Sequence, residues 1–439
     1  MSNLVVIKQK LKNFNKKITV SGDKSLSIRW VLFSSIADGV SKAHNLLMSD
    51  DVYAAIDAIK KLGVKVTIKK NLCKIFGNGI NGYKYKKDLV INAQNSGTLG
   101  RLILGLLVSS PTTIKLIGDK SLSKRDFERV TRPLKKFGVT FKLNKNKGLP
   151  LTIKGSNKLK AINYLEDKGS AQCKSSIIFA GMKSAGTTFI KAKKSRNHTE
   201  LLCKYLNLPI NVTTKNNYDF IRVNNVKKIK PLNYNIPSDI SSSAFFMVLT
   251  ALSKKSKLTI KNVNINPSRT GVITILKKMG VIILFKNTKI YKGERIADIH
   301  IKSPGNLKPI NCPKKLNSGA IDEFLVIFLL AAKAKGISSF KDLAELNQKE
   351  SPRLQWGAKI LNEMGIKTIL TNNSIRIFGN PNLEIKKKII IKDYLKDHRV
   401  FMTSIIAALS FGGEWYIHDK DSIKTSFPLF LNIVDSLKK

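Results

Sequence analysis

The sequence predicts a mixed α/β fold built from six repeated units. Two observations lead there. Strand-like runs of β-branched residues alternate with helix-length apolar patterns along the whole chain. In addition, one signature recurs: a helical pattern ends in a basic or polar residue, a large apolar residue and Gly, and a β-branched run follows. The copies lie at residues 60–64, 135–139, 277–281 and 362–366, with a variant at 204–208 in which Asn207 replaces Gly. Gly and Asn tolerate the left-handed backbone that closes a helix, so each copy reads as helix, C-cap, strand. The capping positions 63, 138, 207, 280 and 365 are 69 to 85 residues apart. A period that long is a repeated subdomain, not a solenoid.

In chain order, strands are expected at 17–20, 89–91, 112–117, 149–153, 187–190, 257–260, 297–301 and 389–391. Helices are expected at 26–36, 51–62, 97–108, 171–182, 241–252, 322–334 and 399–409. The apolar stretch 427–437 reads as a sixth copy of the helix. Its strand is missing unless Leu4–Ile7 supplies it, which would close the chain on itself. Small and polar runs near 20–25 and 237–243 are the expected crossings between two halves.

Composition narrows the class. The 439 residues are enough for two or three domains, and 43% hydrophobic residues exclude general disorder. The longest apolar run, 324–332, is about half of the ~20 residues a membrane-spanning helix needs. The first 17 residues have neither the apolar core of a signal peptide nor the arginines of a transit segment. Cys73, Cys173, Cys203 and Cys312 form no CxxC, so neither a disulfide framework nor a zinc cage is indicated. A soluble, cytoplasmic protein with no membrane partner and no metal is expected.

The formal net charge is +49, and 66 of the 78 basic residues are lysine. The lysines are spread in twos and threes beside Asn and Ile, the mix that an A+T-rich coding sequence produces. Nucleic-acid binding would call for a concentrated basic stripe with interleaved aromatics, so no specific nucleic-acid partner is expected. The arginines are more informative, because their rigid fork suits carboxylate and phosphate.

Six short stretches place basic residues at helix starts or turns. They are Ser21 to Arg29 (with Lys24 and Ser25), Asn95 to Arg101 (with Gly97), Gly118 to Arg125, and Gly169 to Lys174 (with Ser170, Ala171 and Gln172). The last two are Lys349-Glu350-Ser351-Pro352-Arg353, with Asp322-Glu323 upstream, and Lys396 to Arg399, with Lys424 close behind. A helix N-terminus favours anions through its free N–H groups and its dipole. Taken singly, each stretch also reads as an ordinary capped helix or solvated loop, and His398 reads as a structural hydrogen-bond partner. Jointly they offer many cations, two carboxylates and no metal spacing. That suits a polyanionic substrate and reaction by proton transfer.

The ordered motifs GDKSLSIR, NSGTLGR, GDKSLSKR, GSAQCKS, IDE, KESPR, KDHR and KTSFP resemble the 5-enolpyruvylshikimate-3-phosphate synthase family over essentially the whole chain. The resemblance implies an α/β fold of two similar domains, each with three βαβαββ units in an inverse α/β barrel-like arrangement. One domain would span 23–241 and the other 1–22 plus 242–439, with two chain crossings. It implies transfer of the enolpyruvyl (1-carboxyvinyl) group of phosphoenolpyruvate to the 5-hydroxyl of shikimate 3-phosphate, with release of phosphate. That reaction serves chorismate and aromatic amino-acid biosynthesis, without a cofactor and in a monomer.

By the match, Asp322, Glu350 and Lys24 are catalytic. Lys24, Ser25, Arg29, Ser170, Ala171, Gln172, Ser195, Asp322 and Lys349 bind shikimate 3-phosphate. Lys24, Gly97, Arg125, Gln172, Arg353, Arg399 and Lys424 bind phosphoenolpyruvate. Gly97 matches the pattern of members that bind the herbicide glyphosate. The sequence departs from the family at Asp126, where Pro is usual, at Asn347, where Arg is common, and at Pro352, where Asp is usual. Asp126 is expected to weaken the field of Arg125, and Pro352 to remove a backbone donor beside Glu350. The alternatives are the sister enzyme that transfers enolpyruvyl to UDP-N-acetylglucosamine, and a basic nucleic-acid-binding protein in which the motifs are relics. The first usually has Lys-Asn where this chain has Lys24-Ser25, and a loop Cys where none lies between Cys73 and Cys173.

Overall fold

The computed structural model describes residues 3–438. The chain divides into two compact units. One comprises Gly22–Ile236 with Tyr291–Glu294, and is called the first unit below. The second comprises Met1–Ser21, Pro237–Ile290 and Arg295–Lys439. The boundaries at Gly22 and Pro237 lie close to the expected crossings. The sequence reading of two crossings leaves out Tyr291–Glu294, the turn between neighbouring strands Ile282–Tyr291 and Glu294–Lys302. Three contacts group this turn with the first unit. The Tyr291 ring lies 5.6 Å from that of Tyr234. Lys292 Nζ stands 4.8 Å above the Tyr205 ring. Glu294 Oε1 is 2.7 Å from His198 Nδ1, both side chains fully buried.

Two sheets of the first unit share one plan: two parallel strands are joined through a helix, and two further strands add antiparallel. In the first unit, Val90–Asn92 pairs parallel with Thr113–Ile117. Leu151–Lys154 pairs antiparallel with Thr113–Ile117, and Thr140–Leu143 antiparallel with Leu151–Lys154. The sheet Asn163–Glu166, Thr188–Lys193, Tyr218–Val223, Ile210–Lys215 repeats this order. The remaining sheet of this unit takes its parallel strand, Tyr234–Asn235, from the far end of the segment.

The second unit borrows from the N-terminus twice. Leu4–Ile7 pairs antiparallel with Gly412–His418 and completes the sixth repeat, as the sequence suggested. Asn15–Ile18 pairs parallel with Lys257–Asn264. The last helix, Phe430–Lys438, lies in the same unit.

Three helices at the centre of each unit are buried on all sides. They are Lys24–Ser35, Gly97–Leu106 and Ala171–Gly181 in the first unit, and Ile240–Leu252, Phe324–Lys333 and His398–Phe411 in the second. Leu26, Ile28, Trp30, Val31 and Leu32 are all fully buried within a single helix. Each such side chain contributes about 1.5–3 kcal/mol by leaving water. A helix that is apolar all round must be enclosed, so its first turn is where it can present polar groups. The motifs GDKSLSIR, NSGTLGR, GSAQCKS, IDE and KDHR sit at those first turns. The expected left-handed caps are present: Gly63, Gly138, Gly280, Gly365 and Asn207 all have positive φ.

Candidate active-site clusters

In the first unit, three capped helix starts carry the predicted residues. Asp23 caps Lys24–Ser35 by accepting from Leu26 N at 2.9 Å. Ser96 caps the helix that opens with Gly97, and Ser170 the helix that opens with Ala171. Lys24 Nζ lies 3.0 Å from Asp51 Oδ2. The Arg29 guanidinium is buried and donates to Thr199 Oγ1 (2.8 Å), Ser175 Oγ (3.1 Å) and the Ser25 carbonyl (3.1 Å). Burial pushes its pKa down to about 10, partly offset by Glu200 and Asp23. The hydroxyl of Ser195 is buried with no hydrogen-bond partner among the described residues.

The second and third helix starts are tied together. Arg101 Nη1 donates to Gln172 Oε1 at 2.5 Å, and Gln172 Nε2 donates to Thr98 Oγ1 at 3.0 Å. Arg125 Nη2 donates to Asn95 Oδ1 at 3.4 Å. A Cβ built on Gly97 would lie 3.2 Å from Arg125 Nη1 and 3.6 Å from Arg101 Nη1. The absent side chain at Gly97 therefore leaves room for Arg125 Nη1 close over the helix N-terminus. Helix Ala171–Gly181 connects both groups, with Gln172 reaching Arg101 and Ser175 reaching Arg29. Arg101 belongs to this cluster although sequence reasoning passed over it as the end of a motif. Its pKa is pushed down to about 10 by burial, with Arg129 and Arg125 adding to the effect.

The second unit gathers Asp322, Lys349, Glu350, Arg353 and Asp397. Arg353, buried at the start of helix Arg353–Glu363, donates through Nε to Asp397 Oδ2 at 2.8 Å and through Nη2 to Asp397 Oδ1 at 3.1 Å. Nη2 also donates to Glu350 Oε2 at 2.5 Å, and Nη1 lies 3.7 Å from Asp322 Oδ1. Lys349 Nζ is 3.6 Å from the same Asp322 oxygen. Burial alone would lower the Arg353 pKa. The charges of Asp397, Glu350 and Asp322 overturn that and raise it.

Asp397 is fully buried, which opposes its ionisation. The Arg353 charge prevails and holds the carboxyl below its usual range. Asp397 also caps helix His398–Phe411 through Arg399 N at 2.9 Å and accepts from Ser351 Oγ at 2.8 Å. Sequence analysis missed it because it reads as a routine N-cap.

Arg399 Nη1 lies 3.9 Å from Glu323 Oε1, and the guanidinium stands over the Phe245 ring at 5.6 Å. Its Nε and Nη1 are buried without hydrogen-bond partners among the described residues. Such donors suit an anion. Lys424 is paired with Asp421 at 2.8 Å in an exposed segment. His398 Nδ1 is within 3.2 Å of Thr425 Oγ1.

The three departures from the family pattern have local roles. The Asp126 carboxylate accepts from Glu128 N at 2.7 Å, and so serves the next helix turn instead of pairing with Arg125. Pro352 sits at the N-cap of helix Arg353–Glu363, where no backbone N–H is called for. Asn347 Oδ1 accepts from Leu354 N at 3.2 Å, in the first turn of the same helix. Among the described residues, the expected weakening of Arg125 by Asp126 thus has no Asp126–Arg125 ion pair behind it.

Among the described residues, no helix is long and apolar enough to cross a membrane. Comparison with known proteins agrees with the motifs. The family model described as EPSP synthase (3-phosphoshikimate 1-carboxyvinyltransferase) matches residues 8–434. The chain is 39% identical over 421 residues to the 3-phosphoshikimate 1-carboxyvinyltransferase of Ruthia magnifica subsp. Calyptogena magnifica, covering 96% of this chain and 94% of that one. It is 36% identical over 430 residues to the enzyme of the same name from Caldicellulosiruptor bescii, covering 98% of each. The solved EPSP synthase of Acinetobacter baumannii superposes with a TM-score of 0.87 at 36% identity, over 99% of this chain and 98% of that one. The enolpyruvyl transferase NikO of Streptomyces tendae shares the fold, with a TM-score of 0.78 at 13% identity. Neither alternative reading of the sequence is favoured by these matches. A family match from residue 8 to residue 434, with relatives 36–39% identical over nearly their full length, places the chain in the EPSP synthase family.

Proposed function

We propose that the chain transfers the enolpyruvyl group of phosphoenolpyruvate to the 5-hydroxyl of shikimate 3-phosphate. Lys24, Ser25, Arg29, Ser170, Gln172, Ser195 and Lys349 hold shikimate 3-phosphate, beside Ala171. Arg125, Arg353, Arg399 and Lys424 hold phosphoenolpyruvate, with Gly97 and Gln172 beside them.

In the reaction, a proton goes to the methylene carbon of phosphoenolpyruvate while the hydroxyl oxygen bonds to its C2. The resulting tetrahedral intermediate loses a proton from the new methyl group and expels phosphate. Asp322 takes the hydroxyl proton, Glu350 supplies the proton to carbon, and Lys24 assists. The observation that carries this reading is the Arg353 guanidinium fixed among Asp322, Glu350 and Asp397. It sets two partly accessible carboxylates beside one buried cation, the arrangement that acid–base chemistry on an anionic substrate needs.

The test is phosphate release by the purified protein given both substrates. Release that requires both is expected, and none with either alone. Absence of release with both would overturn the reading. The chain is further proposed to act as a monomer, which sedimentation of the purified protein would check.

A further inference from the structure

Beneath Arg29 lies a second charged layer to which the proposed reaction assigns no role. Lys174 is fully buried, with Nζ 2.6 Å from Glu200 Oε1 and 3.1 Å from Asp219 Oδ2. These groups come from helix Ala171–Gly181, helix His198–Tyr205 and strand Tyr218–Val223. The second carboxylate oxygen of Asp219 accepts from Thr214 Oγ1 at 2.9 Å. Glu200 Oε2 is buried and has no hydrogen-bond partner among the described residues. Burial lowers the Lys174 pKa and the two carboxylates raise it, with a net rise, so the lysine is charged.

The layering follows from adjacent residues. Ser175 and Thr199 hold the Arg29 guanidinium, while their sequence neighbours Lys174 and Glu200 pair with each other. Ser175 and Thr199 are also bonded to one another at 2.7 Å. Arg29 thus lies one layer away from Glu200. It feels that carboxylate's charge but donates only to neutral oxygens among the described residues. In the two layers Arg29 and Lys174 accompany Glu200 and Asp219, with Asp23 and Glu294 also adding their charges at Arg29. Two pairings are open to Glu200: with Lys174, as observed, or with Arg29. In the second, a bidentate carboxylate would occupy the fork of Arg29 and compete with an incoming phosphate.

We propose that Lys174 is a positioning residue for shikimate 3-phosphate: by holding Glu200 in the lower layer, it keeps the Arg29 guanidinium from closing on that carboxylate and leaves its charge for the substrate. This rests on the reading of Arg29 as a ligand of shikimate 3-phosphate.

The experiment compares two double variants, each with Lys174→Met and one carboxylate neutralised, so that neither leaves two unpaired buried anions. Lys174→Met with Asp219→Asn retains Glu200, which can then turn to Arg29. KM for shikimate 3-phosphate is expected to rise roughly tenfold or more, with kcat within about threefold. Lys174→Met with Glu200→Gln removes the competing carboxylate, and KM is expected to stay within about threefold of the wild type. Lys174→Arg, which keeps the charge, should behave as the second variant does.

A merely structural role for Lys174 predicts the same KM in both double variants, and that result would overturn the proposal. Arg29→Ala, measured alongside, separates the two layers of the argument. If it leaves KM for shikimate 3-phosphate unchanged, Arg29 is not the ligand. If it raises KM while the two double variants agree, Arg29 is the ligand and the role of Lys174 is wrong.

Discussion

The two units both gather charged side chains at helix starts, yet they balance charge in opposite ways. In the first unit, Arg29 and Arg101 rest on hydroxyls, a side-chain amide and carbonyl oxygens. In the second, Arg353 is held by Asp397 and Glu350, with Asp322 close by. A guanidinium held by neutral oxygens keeps most of its field for a ligand. One held by carboxylates gives up much of that field and fixes the carboxylates in place instead. The first arrangement suits gripping an anion, and the second suits positioning groups that exchange protons.

The comparison breaks most visibly at Asp397. Replacing it with Asn removes the fully buried partner of Arg353 and is expected to cost about 3–5 kcal/mol of stability at neutral pH. Because the folded-state carboxyl lies below its usual range, its contribution is complete above the unfolded value of about 4. It is lost as pH falls through the folded value. Tm measured from pH 7 down to pH 3 should therefore fall more steeply for the wild type than for Asp397→Asn. Parallel curves would show that Asp397 is not held as its contacts indicate.

Next in size are the proton-handling groups. Asp322→Asn and Glu350→Gln should each lower kcat by ~10²-fold or more, with circular dichroism unchanged. Near-normal turnover in either would remove that residue from the mechanism and turn its cluster into a plain anion grip.

Gly97→Ala sharpens the contrast from the other side. A methyl group there would lie 3.2 Å from Arg125 Nη1, so that guanidinium must give by a few tenths of an ångström, while Arg101 at 3.6 Å stays in ordinary contact. Wild-type turnover should be inhibited by glyphosate in competition with phosphoenolpyruvate. In the variant, the ratio of the glyphosate inhibition constant to KM for phosphoenolpyruvate should rise roughly tenfold. An unchanged ratio would mean that Gly97 does not border that site.

The smallest effect is expected at Asp126. Asp126→Ala removes the acceptor for Glu128 N and should cost about 1 kcal/mol of stability. KM for phosphoenolpyruvate should change less than about twofold, since the Asp126 carboxylate is engaged by Glu128 N. A large fall in KM would restore the view that Asp126 weakens the neighbouring cation.

What could be read in the sequence was local. The left-handed caps at Gly63, Gly138, Gly280 and Gly365 mark the repeat because few residues tolerate positive φ. The site motifs stood out because they place basic residues at helix starts or turns. What escaped was pairing through space. Nothing around Lys174 or Glu200 tells that they meet, and Asp397 looks like any N-cap. The first-strand prediction, 17–20, is displaced from the observed Asn15–Ile18. A run of Asn and Lys becomes a strand there because Lys257–Asn264 offers it a ladder. Asp126, Asn347 and Pro352 read as losses, because their compensating hydrogen bonds and cap position exist only once the neighbouring turns are formed.

The borrowed strands also bear on the order in which the molecule assembles during synthesis. Leu4–Ile7 must wait for Gly412–His418, and Asn15–Ile18 for Lys257–Asn264. Residues 4–7 and 15–18 therefore find their partners only after long stretches that follow them have been made. Gly22–Ile236, by contrast, holds nearly all of its own sheets in one continuous stretch and can fold while the rest is still being made. The turn that places Glu294 2.7 Å from His198 Nδ1 follows only after residues 237–290 have been made.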